Sequence, residues 1–465
     1  MPKKLNRQAV SSPRRPIKVL QFGEGNFLRA FCDWMVDVLN EKTDFNGNVQ
    51  IVQPIRQGMG DLINGQDGLY HVILNGIQNG LRVIEDRLIT CVDSVINPYN
   101  DYRKFLALAE NPDLEFVFSN TTEAGIAFNE NDRGYDTLPE SFPGKVTALL
   151  YHRYKTLPEK GLTFLPCELI EKNGSTLKSV VDQYIALWKL PAEFAGWMSS
   201  NVHFCNTLVD RIVPGFPKET IHEIHQRTGY EDNLAVMAEP FHLWVIEAPE
   251  HVRSSLPLEK AGLNALFVPD LTPYRTRKVR ILNGAHTTLV PVAYLKGLRT
   301  VRESVDDKET GDFLTKAIHE EIIPTLDLPK PELIRFADEV MERFQNPFIK
   351  HELTSIALNS ISKYKVRVLP SVLGYIALKK ELPKRLLYSL AALIKFYKGE
   401  GRPVNDTPEI LGFFSKAWAT NDAVHAARLV LGNKDFWGQD LNEIPGLNQQ
   451  VTEDLKALEV LTSKL

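Results

Sequence analysis

Several things are scarce in this 465-residue chain, and each scarcity closes a door. No run of about 18 apolar residues occurs, so no α-helical membrane span is expected. The basic leader "MPKKLNRQAVSSPRRPIK" lacks the apolar stretch of a secretory signal and reads as a solvated tail. Only four cysteines are present, Cys32, Cys91, Cys167 and Cys205, and no two form a C-x-x-C pair. That speaks against zinc ribbons and thioredoxin chemistry and for a reducing, cytoplasmic setting. The eleven histidines contain no H-E-x-x-H; His222 and His225 share a helix face without an evident third ligand, so no metal is expected. A net charge of -4 gives no pull toward nucleic acid or an anionic membrane surface.

What is there fits a globular protein too long for one ordinary core. Strand and helix patterns alternate through the first half. "IKVLQF" (17–22) is a short apolar run of the kind buried on both faces. "VQIVQPI" (49–55) reads as the next strand, "LEFVFSNTTEAGI" (114–126) as strand then turn, and "LTFLPCELI" (162–170) and "NVHFCNTLVDRIV" (201–213) as strand-to-loop units. Asn79-Gly80 between two alternating runs predicts a hairpin with a two-residue turn. Past Pro269 and Pro273 the pattern turns helical almost throughout. The reading is an α/β Rossmann-type domain with a mostly parallel sheet over 14–269, followed by an all-α domain over 270–465.

Two stretches carry chemistry. "FGEGNF" places Gly23 and Gly25 between a strand and a helix, where glycines let a backbone approach a pyrophosphate at a helix N-terminus. Leu28 stands where a third glycine is usual, and Gln53-Pro54 where an acid usually ends the second strand. By itself the turn fits either a dinucleotide site or an ordinary tight turn. "KVRILNGAH" is the second stretch. In α geometry, at about 100° per residue, Asn283 lies roughly 140° and His286 roughly 80° from Lys278, among apolar neighbours. Such groups can be satisfied core residues. They also suit carbonyl/alcohol redox without metal: a lysine as acid or base, an asparagine N–H on the developing oxyanion, and a histidine to orient. Lys363 and Arg367, four apart, form either a carboxylate site or a solvated basic stripe. His351 and His425 read as structural.

K-x4-N-x2-H in this setting closely resembles the signature of the mannitol dehydrogenase family, the long-chain, zinc-independent polyol dehydrogenases. "FGEGNFLRAF" is similar to that family's cofactor loop, which implies coenzyme contacts at Phe22, Gly23, Gly25, Asn26 and Phe27. "SNTTEAGI" resembles its loop beside the nicotinamide, implying Thr122 and Glu123; Glu123 could equally cap a helix. "FCNTLVDRIVP" resembles the segment carrying a second oxyanion asparagine, here Asn206. "RFQNPFIKHELTSIALNSISKYKVRVLP" resembles the substrate-binding stretch and places Lys363 near the site. The resemblance implies Lys278, Asn283 and His286 as catalytic residues. Within the family, "LPCELIEKNG", "VQPI" and "LFVPDLTPYRTRKVRILNGAHT" look most like members acting on sugar acids. That branch implies NAD as coenzyme and a small sugar acid as substrate, in a monomer or small homo-oligomer. An enzyme for neutral polyols or sugar phosphates, and a nucleotide-binding regulatory protein, are the competing expectations.

Overall fold

The computed structural model describes residues 2–121, 125–400 and 404–462, so Thr122 and Glu123 lie outside the described residues. It divides into two compact units. One comprises Met1–Gly76 and Arg82–Leu271; the other comprises Thr272–Leu465 with the hairpin turn Ile77–Leu81.

The first unit is built on a six-stranded sheet: β1 (Ile17–Phe22), β2 (Asn48–Val52), β3 (Val92–Ile96), β4 (Phe116–Ser119), β5 (Leu162–Pro166) and β6 (Val202–Phe204). Their order is β3-β2-β1-β4-β5-β6, and every pairing is parallel. The order reverses between β1 and β4, and sheets of this kind bind ligands outside the strand ends at such a switch point. Alternation along the strands explains the two apolar layers. Val19, Ile51 and Phe118 face one core with the helix Trp34–Lys42. Leu20, Val52, Val117 and Phe164 face the other with helices Phe142–Thr156 and Asn173–Leu187.

Asn79 and Gly80 take φ of 53° and 72°, the paired positive values of a two-residue hairpin turn, between strands Tyr70–Gln78 and Leu81–Ile89. The stretch 201–213 is not one strand. It breaks at Cys205, and Asn206–Asp210 joins a separate sheet, antiparallel to Leu243–Glu247. β2 stops at Val52, short of the expected residue 55, because Gln53 turns into its own loop and Pro54 has no N–H to donate.

The second unit is helical. Gly284–Leu295 is buried along its whole length, with Pro291 inside it, and packs on Lys384–Phe396, which in turn packs on Leu447–Thr462. The helical pattern of this half is interrupted before residue 360. There it splits into Leu353–Ile356 and Ser360–Arg367, because Asn359 adopts a left-handed φ of 52°.

Candidate active site

In the first unit the glycine turn follows β1 directly. Gly23 has φ +123°, which favours glycine, and a Cβ there would meet Leu28 Cδ1 at 2.9 Å. Leu28, in place of a third glycine, therefore packs onto the first one. A Cβ on Gly25 would meet nothing within 4 Å, so that side of the turn is open. Gly25 precedes the helical run that begins at Asn26, and no side chain caps that end. Open backbone and an uncapped helix N-terminus fit the phosphates of a dinucleotide. Among the residues expected here, Gly25 and Asn26 are exposed and Phe27 is half-buried, stacked on Phe31 at 5.0 Å. The Phe22 ring is wholly buried against Phe142 and Phe105, so only its backbone is placed to face a ligand.

The helix after this turn contains a π turn, Arg29–Asp33. Such turns displace backbone carbonyls from the regular ladder. Here side chains collect them: Tyr70 OH donates to Arg29 O at 3.3 Å, Arg211 Nη1 to Ala30 O at 2.8 Å, and Cys91 Sγ to Asp33 O at 3.2 Å. Arg211 also lies 4.2 Å from the Trp34 ring. Asp33 is fully buried, accepting from Tyr70 at 2.7 Å and Gln21 at 3.4 Å. Its Oδ1 and the Gln21 Oε1 have no partner among the described residues. Burial pushes the Asp33 carboxyl up to about 7, against the donors Tyr70 and Gln21 and the nearby Arg29.

A raised carboxyl stabilises the fold in its neutral form. That contribution is complete below the ordinary carboxylate value and is lost as pH rises through about 7. Asp33→Asn keeps the size without the charge. Its melting temperature relative to the parent is expected to be several degrees more favourable at pH 8.5 than at pH 5. A pH-independent difference would show that Asp33 does not titrate in this range.

Asn206 opens its strand in a buried position. Its Oδ1 accepts from Ser175 N–H at 2.9 Å and its Nδ2 donates to Glu247 at 3.1 Å, which fixes the carboxamide plane. Glu168, just beyond β5, was not singled out from the sequence. It is buried and accepts from Ser119 Oγ and from Thr121 N–H and Oγ1 at 2.9–3.0 Å, tying down the chain at Thr121. An acid directly after an apolar strand was the available signal.

In the second unit, Lys278–Asn283 is a π turn rather than α-helix, with Gly284 N–H bonding back to Val279 O. A π turn holds more residues than an α turn, so each residue rotates by less than 100°. Asn283 therefore lies closer around the axis to Lys278 than α geometry allows. Lys278 and Asn283 are half-buried and His286 is buried. The imidazole stacks on Phe344 at 4.2 Å and meets the His351 ring edge-on at 5.1 Å. His351, read as structural, thus packs on one of the expected catalytic residues, and burial lowers its pKa. His425 is exposed.

The helix Ser360–Arg367 packs against this turn. A Cβ on Gly284 would stand 3.1 Å from Arg367 O, so glycine permits the close approach. Lys363 Nζ donates to Ile356 O at 2.7 Å; burial and the neighbouring Arg367 lower its pKa. Burial lowers that of Arg367 too. Arg280, two residues after Lys278 and missed in the sequence, donates to Ser371 Oγ at 3.2 Å and is lowered by burial. Among the described residues, no carboxylate is within ion-pair distance of Arg280, Lys363 or Arg367. Nor does any group of three or more potential metal ligands occur among them.

One unit is a Rossmann sheet with a glycine turn; the other is helical, with Lys278 and Asn283 on a π turn and His286 in the helix that follows. Residues 17–260 match the mannitol dehydrogenase Rossmann domain and residues 270–459 the mannitol dehydrogenase C-terminal domain. The chain belongs to the mannitol dehydrogenase family. It is 49% identical over 466 residues to an altronate oxidoreductase of Phocaeicola vulgatus, covering 98% of this chain and 97% of that one. It is 47% identical to an altronate oxidoreductase of Bacillus subtilis, covering 96% and 94%. Its fold resembles a substrate-free D-sorbitol dehydrogenase, with TM-score 0.83, 23% identity and 99% of both chains covered. It also resembles the Pseudomonas fluorescens mannitol 2-dehydrogenase complex with NAD and D-mannitol, with TM-score 0.71, 22% identity and 99% of both chains.

Proposed function

We propose that this chain is a tagaturonate reductase, or altronate oxidoreductase, interconverting D-altronate and D-tagaturonate with NAD in hexuronate breakdown. The observation that carries this reading is the set of half-buried cations Arg280, Lys363 and Arg367 at and against the Lys278 turn, none of which has a carboxylate within ion-pair distance among the described residues, Asp406 acting on Lys363 only from farther off. Desolvated cations favour an anionic ligand, and a sugar acid brings one. A neutral polyol does not.

The reduced coenzyme, when bound, supplies the hydride. The uncapped helix start at Gly25–Asn26 would hold its phosphates. Lys278 gives a proton to the oxygen of the carbonyl as that carbon is reduced, and takes it back in the oxidative direction. Asn283 and Asn206 are the carboxamides assigned to steady that oxygen as negative charge grows on it. His286, stacked on Phe344 and edge-on to His351, orients the lysine or a substrate hydroxyl. Lys363 and Arg367 bind the carboxylate.

No helix among the described residues is long and apolar enough to cross a membrane. Four buried free thiols suit the reducing cytoplasm proposed as its location. A monomer or small homo-oligomer suffices for this chemistry. Incubation with tagaturonate and NADH is expected to give altronate, and prior dialysis against a strong chelator to leave the rate unchanged. Formation of the epimeric acid would reassign the substrate. Loss of activity restored by zinc would place a metal in the mechanism.

A further inference from the structure

In a sheet of this type the end of the second strand normally carries an acid that holds the adenosine ribose. Here Gln53 occupies that position and is not available for it. Its Nε2 donates to Ile55 O at 2.8 Å and Arg56 O at 3.0 Å, and its Oε1 accepts from Gly60 N–H at 3.3 Å. The residue is 3% exposed. Its carboxamide holds the loop together and has both N–H groups in use.

A carboxylate reaches the same place from another segment. Glu140 lies just before Ser141, the N-cap of the helix Phe142–Thr156. Its Oε1 is 3.2 Å from Arg56 Nη2, and its Oε2 is 3.4 Å from Tyr99 OH. That hydroxyl is also 3.4 Å from Pro54 O, so Glu140 stands one hydroxyl away from the end of β2. The backbone beneath it is pinned on both sides. Glu140 N–H donates to Asp132 Oδ1 at 2.8 Å, and Glu140 O accepts from Lys145 Nζ at 2.7 Å. Lys145 is fully buried and donates to Tyr99 OH at 3.1 Å as well. The carboxylate itself is 58% exposed, and the Arg56 guanidinium, 71% exposed, lies 4.7 Å over the Tyr99 ring. A cavity of about 250 Å³ at the ends of β2 and β3 is lined by Gln53, Asn64 and Asn97 and by the charged Asp61, Asp101 and Lys104; Glu140 and Arg56 are not among its lining residues.

We propose that Glu140 supplies the carboxylate that β2 lacks, and that with Arg56 it selects a coenzyme bearing a free 2′-hydroxyl on its adenosine ribose over one bearing a 2′-phosphate. This rests on the chain being a nicotinamide-coenzyme enzyme. A 2′-phosphate adds about 1.5 to 2 negative charges, which Glu140 repels. Arg56 alone would attract that phosphate. The exposed Arg56–Glu140 pair is itself weak, so selection follows from where the charges stand rather than from the strength of their bond.

Titration calorimetry of the full-length protein with NADH and with NADPH tests this. The parent is expected to bind NADH at least about tenfold more tightly. Glu140→Gln, at an exposed position, should move the ratio of dissociation constants about tenfold or more toward NADPH. Adding Arg56→Ala to that variant should cancel the gain in NADPH affinity. A ratio unchanged in Glu140→Gln would overturn the inference, as would a parent that prefers NADPH; the coenzyme reading would survive both. A parent binding neither coenzyme would remove the reading and the inference together.

Discussion

Replacing Lys278 with alanine is expected to lower turnover by about a hundredfold or more, with NADH binding close to that of the parent. The magnitude is that of a lost general acid, which contributes about 10²–10⁴-fold. Lys278 is half-buried at the start of a π turn in the helical unit, whereas the uncapped helix start at Gly25–Asn26 belongs to the Rossmann unit. Loss of the amine should therefore spare coenzyme affinity. Lys278→Arg is the sharper control, because a guanidinium keeps the charge but cannot give up its proton in a protein. It should be nearly as slow as the alanine variant. Single-turnover kinetics with bound NADH would read the step directly, and normal rates in both variants would remove the lysine from the mechanism.

Arg367→Ala is expected to raise the Michaelis constant for tagaturonate about ten- to a hundredfold. A charge-assisted hydrogen bond contributes roughly 1.5–3 kcal/mol, and about 1.4 kcal/mol corresponds to tenfold. The constant for a neutral ketose should change little, since it has no carboxylate to lose contact. Arg367 is the more telling of the two helix partners. Lys363 already donates to Ile356 O and could equally serve hydroxyls. Equal effects on acid and neutral substrates would mean that Arg367 only supports the helix packed on Gly284.

Much of this was legible in the sequence where the signal was local. β1 was readable from six residues, and the hairpin from Asn79-Gly80, because strand burial and turn chemistry act over a few neighbours. Lys278, Asn283 and His286 stood out in the sequence as polar residues among apolar neighbours. What was not legible was the π geometry at Arg29–Asp33 and Lys278–Asn283. The same residues satisfy an α-helical pattern, and the extra residue per turn is held by partners far along the chain, such as Arg211 on Ala30 O. The break at Asn359 was hidden for a similar reason, since an asparagine fits a helical pattern until its φ is known. Glu140 meets Arg56 and Tyr99, which are far from it in sequence, so nothing near it marks that role; Glu168 had only its place after an apolar strand as a signal. Gln53 is legible as standing where an acid is usual, but its inward hydrogen bonds appear only in the structure.

The most direct test of the central claim is a comparison of kcat/KM for NADH oxidation with tagaturonate, fructuronate and fructose as acceptors, using the unmodified protein. Tagaturonate is expected to exceed fructuronate clearly and fructose by orders of magnitude. Fructose reduced as efficiently as tagaturonate would contradict the account and assign the chain to neutral polyols instead.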